Sequence, residues 1–182
     1  MENILIVIDM QKDFIDGSLG TAEAQAIVDP VIAKIREYPR ENIYGTRDTH
    51  QNNYLQTREG EKLPIKHCIK ATNGWQIQME IQSALCKENI IDKPTFGSWE
   101  LAEKMKERDR IEREKGNGGI SIQLVGLCTD ICVVSNALLL KAALPETEIS
   151  VDAACCAGVT PEKHRTALET MSSCQITIEN WT

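Results

Sequence analysis

The sequence predicts an α/β protein, three layers deep, in which a doubly wound, six-stranded parallel sheet lies between two layers of helices. Two observations carry that expectation. Six short apolar runs rich in β-branched residues recur along the chain, each reading as a strand buried on both faces. Five segments with helical periodicity lie between them, and strand alternating with helix is the pattern of parallel βαβ units. At 182 residues, 42% of them hydrophobic, the chain has the size of one domain with one substantial core, spanning 1–182.

The elements follow in order. Residues 4–8 form the first strand, which ends at Asp9. A helix is expected over 22–38, with Pro30 opening its main part, where a missing N–H does no harm. The second strand, 42–46, leads into Arg47 and Asp48; a helix over 76–85 precedes the third strand, 89–92, which delivers Lys93. The helix over 99–114 carries a charged, solvated end that runs into a loose turn at 116–119. The fourth strand, 120–127, feeds a helix over 132–144, the fifth covers 148–153, and the last, 175–178, follows a helix over 161–173 with Thr160 as cap and Pro161 in the first turn.

Composition narrows the function. A net charge of −7 disfavours nucleic acid and anionic membrane surfaces as partners and leaves small molecules. The apolar stretch at the N-terminus is too short to span a membrane and no basic region precedes it, so a cytoplasmic protein is expected. Seven cysteines without regular spacing suggest reduced thiols. Cys68, Cys86, Cys155, Cys156 and Cys174 lie on or beside apolar segments and read as core or incidental thiols.

In open parallel sheets ligands bind beyond the carboxyl ends of the strands. Here those ends supply Asp9, Arg47 and Asp48, Asp92 and Lys93, and finally Cys132. A carboxylate, a cation and a thiol in one crevice suffice for nucleophilic catalysis with a proton shuttle. Each has an ordinary alternative: Asp9 as a turn cap, Lys93 as a solvated charge, Cys132 as a small buried apolar side chain. Their coincidence at four strand ends favours chemistry. Cys132 at the mouth of a helix is expected to have a lowered pKa and to sit beside N–H groups that hold an oxyanion. Asp48 and His50, two apart on an extended segment, point the same way, and His67 follows a loop; that set suits zinc, iron or manganese with water in the open positions. His164, among charged residues of a helical segment, reads as a surface side chain.

The motifs IVIDMQKDF (6–14), TRDTH (46–50), LPIKHC (63–68), IDKPTFGSW (91–99) and GLCTDICVVSNA (126–137) stand in an order that resembles the isochorismatase-like cysteine hydrolases, and within them the nicotinamidase branch. The resemblance covers nearly the whole chain. It implies the isochorismatase-like hydrolase fold, a homo-oligomer, and hydrolysis of nicotinamide or a similar aromatic carboxamide, a reaction of NAD metabolism. Its triad falls on Asp9, Lys93 and Cys132. It also implies a cis peptide at Leu127–Cys128 that turns the Cys128 N–H toward the oxyanion beside that of Cys132, Phe14 packed on the substrate ring, and a divalent metal, zinc above all, on Asp48, His50 and His67. The chain departs from the branch in two places. The loop 51–66 offers no histidine as a further ligand, leaving Glu59, Glu61 or water, and Leu63 stands where a tryptophan is frequent. Alternatives are another small amide, a ureido compound or isochorismate as substrate, or a non-catalytic protein that binds a metal or metabolite.

Overall fold

The structure, a computed structural model that describes residues 1–181, contains one six-stranded sheet. Strands β1 (Glu2–Ile8), β2 (Ile43–Asp48), β3 (Ile90–Lys93), β4 (Ile120–Leu127), β5 (Glu148–Ala157) and β6 (Thr177–Glu179) lie in the order β3-β2-β1-β4-β5-β6. Every neighbouring pair is parallel. The helices are α1 (Lys12–Ile15), α2 (Ala22–Ala26), α3 (Val28–Ile35), α4 (Arg58–Lys62), α5 (Met79–Ala84), α6 (Trp99–Glu114), α7 (Val134–Ala143) and α8 (Pro161–Ser173).

The central strand explains the layering. Along β1 successive side chains point to opposite faces, so Ile4, Ile6 and Ile8 join one core while Leu5 and Val7 join the other. The first core is closed by Leu101 and Met105 of α6, Leu140 of α7, and Leu168 and Met171 of α8. The second is closed by Val31 and Ile35 of α3 and Ile81 of α5. Each such side chain contributes about 1.5–3 kcal/mol by leaving water, which is why a strand with no polar face sits in the middle of the sheet. No helix among the described residues is long and apolar enough to cross a membrane.

Four expectations need correction. The helix expected over 22–38 is two helices that break at Ile27, and Pro30 is the third residue of α3 rather than its start. β5 runs four residues past the expected end at 153, because a register shift between Leu124 and Gly126 lets Gly126 pair with Cys156 and Leu127 with Ala157. β6 is a short edge strand with no fully buried residue, not a strand covered on both faces. The helix expected from Cys132 begins instead at Val134, preceded by a π-helical turn over Thr129–Val133. The Thr160 cap is as expected, its hydroxyl accepting the Lys163 N–H at 3.2 Å with Pro161 in the first turn.

Strand order reverses between β1 and β4, and the crevice beyond their carboxyl ends is where such sheets bind ligands. The two strands approach closely there. Gly126 has φ +116°, and a Cβ at that position would collide with the Ile8 carbonyl, so the close approach requires glycine.

Candidate active site

The residues expected at the strand ends divide into two groups. Asp9, Lys93 and Cys132 meet. Lys93 Nζ lies 2.6 Å from Asp9 Oδ2, donates to Cys132 Sγ at 3.4 Å and to the Thr95 carbonyl at 3.2 Å. Their exposures are 0% for Asp9, 1% for Lys93 and 4% for Cys132. Arg47 and Asp92 turn away instead: Arg47 Nε pairs with Asp92 Oδ1 at 2.7 Å and its guanidinium stacks 3.8 Å from the Trp75 ring.

Asp9 leaves β1 with φ +46°, a left-handed conformation uncommon outside glycine. Thr46 of β2 holds it there, receiving the Asp9 N–H at 3.2 Å and donating its hydroxyl to Asp9 Oδ1 at 2.6 Å. The other carboxylate oxygen, Oδ2, is in ion-pair contact with Lys93 yet makes no directed hydrogen bond, so a lone pair remains for another proton donor. Burial, with the charge of Asp48, raises the Asp9 carboxyl above its ordinary range against the pull of Lys93. Burial alone would lower Lys93, but Asp9, Cys132 and Asp48 outweigh it and hold the ammonium above its usual value.

Cys132 departs from expectation. Burial and the neighbouring Asp9 charge push its thiol well above the ordinary value, and Lys93 only partly opposes them. The helix-end environment that favours a thiolate is outweighed by desolvation, which favours the neutral thiol at this position. The turn that carries it opens at the Leu127–Cys128 peptide, which is cis. The Cys128 carbonyl accepts the Ile131 and Val133 N–H groups, each at 3.0 Å. Asn136, fully buried on α7, donates to the Cys132 carbonyl at 2.8 Å and the Phe96 carbonyl at 3.0 Å and accepts the Ser98 N–H at 2.9 Å. One amide thereby ties the turn that carries Cys132 to the loop that follows Lys93.

Cys132 opens onto a cavity of about 630 Å³ whose lining includes Phe14, Leu63, Phe96, Cys128, Asp48 and His67. Beside it Asp48, His50, Glu59 and His67, all but His50 lining the cavity, bring one ligand atom each within 4.8 Å of one another. His50 Nε2 is 2.8 Å from Asp48 Oδ2 and 3.5 Å from Glu59 Oε1; His67 Nε2 is 3.5 Å and 3.7 Å from the same two atoms. His67 Nδ1 faces the Ile65 carbonyl at 2.8 Å, which leaves Nε2 for the cluster. His50 Nε2 is buried and, despite its distance from Asp48, makes no hydrogen bond. Two imidazoles and two carboxylates around one point, with one imidazole nitrogen unsatisfied, fit a divalent metal. Glu59 joins from α4, whose cap is Thr57, whereas Glu61 turns out to Arg58 at 3.3 Å. Burial raises Asp48, but the neighbouring imidazoles of His50 and His67 and the charge of Lys93 outweigh it and hold the carboxyl below the usual range. Burial would lower His67, yet Asp48 and Glu59 outweigh it and raise it to about 9. A metal would displace that proton.

Several residues of the site were not singled out by sequence, although each lies inside a motif. Gln11 joins the ends of β1 and β2, its amide donating to the Asp48 carbonyl at 2.9 Å and accepting the Asp48 N–H at 2.7 Å. Thr46 and Asn136 stand beside residues that were nominated. His164 is not a surface residue: it is half-buried with Nδ1 2.8 Å from Thr129 Oγ1. Of the cysteines read as core or incidental, Cys68, Cys155 and Cys156 are buried and Cys174 is exposed.

Residues 3–181 match the Isochorismatase domain. Among curated proteins none matches. Among solved structures, the pyrazinamidase of Pyrococcus horikoshii in complex with zinc is 28% identical with a TM-score of 0.76, covering 100% of both chains. The pyrazinamidase/nicotinamidase of Streptococcus mutans UA159 is 26% identical with a TM-score of 0.75, over 97% of this chain and 99% of that one. The N-carbamoylsarcosine amidase of Thermoplasma acidophilum, 23% identical with a TM-score of 0.70 over 98% and 96%, shares the fold. Matched from its first strand to its last, this chain belongs to the isochorismatase family.

Proposed function

We propose that this chain is a nicotinamidase-type amidohydrolase, a cysteine-dependent enzyme that converts nicotinamide or a closely similar aromatic carboxamide to the carboxylic acid and ammonia. The observation that supports this best is the meeting of Asp9, Lys93 and Cys132 at a cavity bordered by the cluster of Asp48, His50, Glu59 and His67. The likeness to pyrazinamidases and nicotinamidases supports the same reading.

In this scheme Asp9 takes the Cys132 proton as sulfur attacks the amide carbon, and the carbonyl electron pair moves onto oxygen. The N–H groups of Cys128 and Cys132 hold that oxyanion. Asp9 returns the proton to nitrogen, the C–N bond breaks and ammonia leaves. Asp9 then draws a proton from water as it attacks the thioester, and the acid departs with the thiol restored. Lys93 keeps the Asp9 carboxylate charged between transfers. Phe14 packs on the substrate ring. Asp48, His50, Glu59 and His67 would hold a divalent metal, of which zinc fits best, and the metal when bound supplies a Lewis-acidic point that orients a ring nitrogen.

The size of the cavity favours a second reading within the same chemistry. A cavity of about 630 Å³ lies in the range that houses a drug-sized ligand, so a larger aromatic amide, or a ureido compound, is accommodated as well as a single ring. Ammonia release from nicotinamide by the purified protein and by its Cys132→Ala variant tests the reading, with metal content measured on the same samples. Turnover in the parent and none in the variant, with substrate still bound, is expected. A fully active Cys132→Ala protein would sink the scheme, and no turnover despite bound metal would move the assignment to other amides.

A further inference from the structure

Two residues of the nucleophile motif, Thr129 and Asp130, take no part in the steps above, yet both reach out of the turn to one neighbouring segment. Fully buried Thr129 sets its hydroxyl 2.8 Å from Nδ1 of His164 on α8. Asp130 Oδ1 accepts the Val159 N–H at 2.9 Å. Between these contacts lies Gly158, where a Cβ would come within 2.9 Å of both Asp130 Oδ1 and the His164 backbone. Gly158 and Val159 line the same cavity as Cys128 and Cys132, whereas His164 does not reach it.

The turn so held is the least regular helical piece at the site. Thr129–Val133 is a single π-helical turn with no side-chain cap at its start, and such turns are wider and less stable than α-helix. Its end is fixed by Asn136 through the Cys132 carbonyl. Its start has one directed side-chain restraint on Thr129, the contact with His164. Burial lowers the His164 pKa, with Arg165 acting in the same sense and Asp130 opposing. A neutral ring with its proton on Nε2 accepts the Thr129 hydroxyl hydrogen at Nδ1, and one with its proton on Nδ1 donates to Thr129 Oγ1; either tautomer makes the bond.

We propose that His164 is a positioning residue for Cys132: through Thr129 it fixes the start of the turn that presents the thiol to the cavity, while the Asp130–Val159 bond fastens the adjoining cavity wall. This rests on the cysteine reading of the site. His164 touches neither the thiol nor the cavity, so its effect passes through one hydroxyl and disappears when that hydroxyl is gone.

The test compares His164→Ala, His164→Asn, Thr129→Val and the Thr129→Val/His164→Ala pair in the full chain. Two rates are measured: alkylation of Cys132 by iodoacetamide, followed on the Cys132 peptide by mass spectrometry, and steady-state turnover of nicotinamide. His164→Ala and Thr129→Val should each slow alkylation and kcat by about five- to tenfold, the scale of one hydrogen bond's net contribution, with KM nearly unchanged. His164→Asn, which can offer an amide oxygen to the hydroxyl, should recover most of the rate, and the pair should be no slower than either single change. Unaltered alkylation in both single variants would overturn the proposal. So would losses that multiply in the pair, or an asparagine variant as slow as alanine with both rates following the melting temperature. Because alkylation needs no substrate, a protein that leaves nicotinamide untouched still decides the role of His164.

Discussion

Burial and the Asp9 charge outweigh Lys93 and favour the neutral Cys132 thiol, so in the proposed scheme the pH behaviour is set by the group that takes its proton. In that scheme Asp9 must be ionised to receive the thiol proton, and its carboxyl is raised above the ordinary value. Activity should therefore be absent at low pH and rise with pH through a midpoint above about 4, the usual carboxylate value. A profile of kcat/KM against pH checks this, and a limb at the unperturbed value would contradict it. Lys93→Ala removes the opposing charge, so the limb should move further up. At the metal-type cluster, Glu59 and Glu61 make a paired comparison. Glu59→Gln should lower bound metal in the purified protein, and Glu61→Gln, whose side chain faces Arg58, should leave the stoichiometry as in the parent. Elemental analysis of the two proteins reads the difference. Sequence alone nominated Asp9, Lys93 and Cys132, and Asp48, His50 and His67, as groups that come together in the structure, because charge, thiol and imidazole are visible as letters. It did not separate Glu59 from Glu61, since that choice depends on how one turn of helix faces the cluster. It also read the Cys132 pKa in the wrong direction, because desolvation depends on the surrounding packing.

Elements tell the same story at larger size. Boundaries set by local chemistry were legible: α8 begins at the Thr160 cap, and α6 spans the expected 99–114 with its charged end running into the loose turn. Boundaries set by pairing were not. The extension of β5 to Ala157 depends on a register shift against β4, and the π-helical turn depends on anchors from other elements. Asn136 is such an anchor, with two hydrogen bonds that join α7 to the loop after β3 and a third to the Cys132 carbonyl. Asn136→Ala would leave buried backbone groups unpaired and should cost about 2–4 kcal/mol, seen as a lower urea midpoint. Kinetic loss in that variant should exceed what the unfolded fraction explains, because the nucleophile turn and the Lys93 loop would no longer be joined.

For the whole molecule, the tolerance of the sheet is lowest where β1 and β4 approach. Gly126→Ala combines a positive φ with a collision against Ile8, and at least about 3 kcal/mol of destabilisation is expected, measurable as a fall in melting temperature. The fold class was legible throughout, since six apolar runs separated by amphipathic segments leave a parallel sheet as the economical way to bury both strand faces. Strand order was not, because nothing in the runs themselves says which neighbours pair.

That order has a kinetic consequence. Thr46 and Asp9 are separated by 37 positions and Lys93 and Cys132 by 39; Thr46, Asp9 and Lys93 come from the β3-β2-β1 half of the sheet, and Cys132 joins them only across the seam between β1 and β4. Contacts of such separation form late in a folding reaction. A chain that has formed either half alone holds no assembled reaction centre and keeps Cys132 as an ordinary accessible thiol. During refolding, then, gain of activity should coincide with the joining of the two halves rather than with the formation of helices, and a partly folded enzyme should be inert instead of slow.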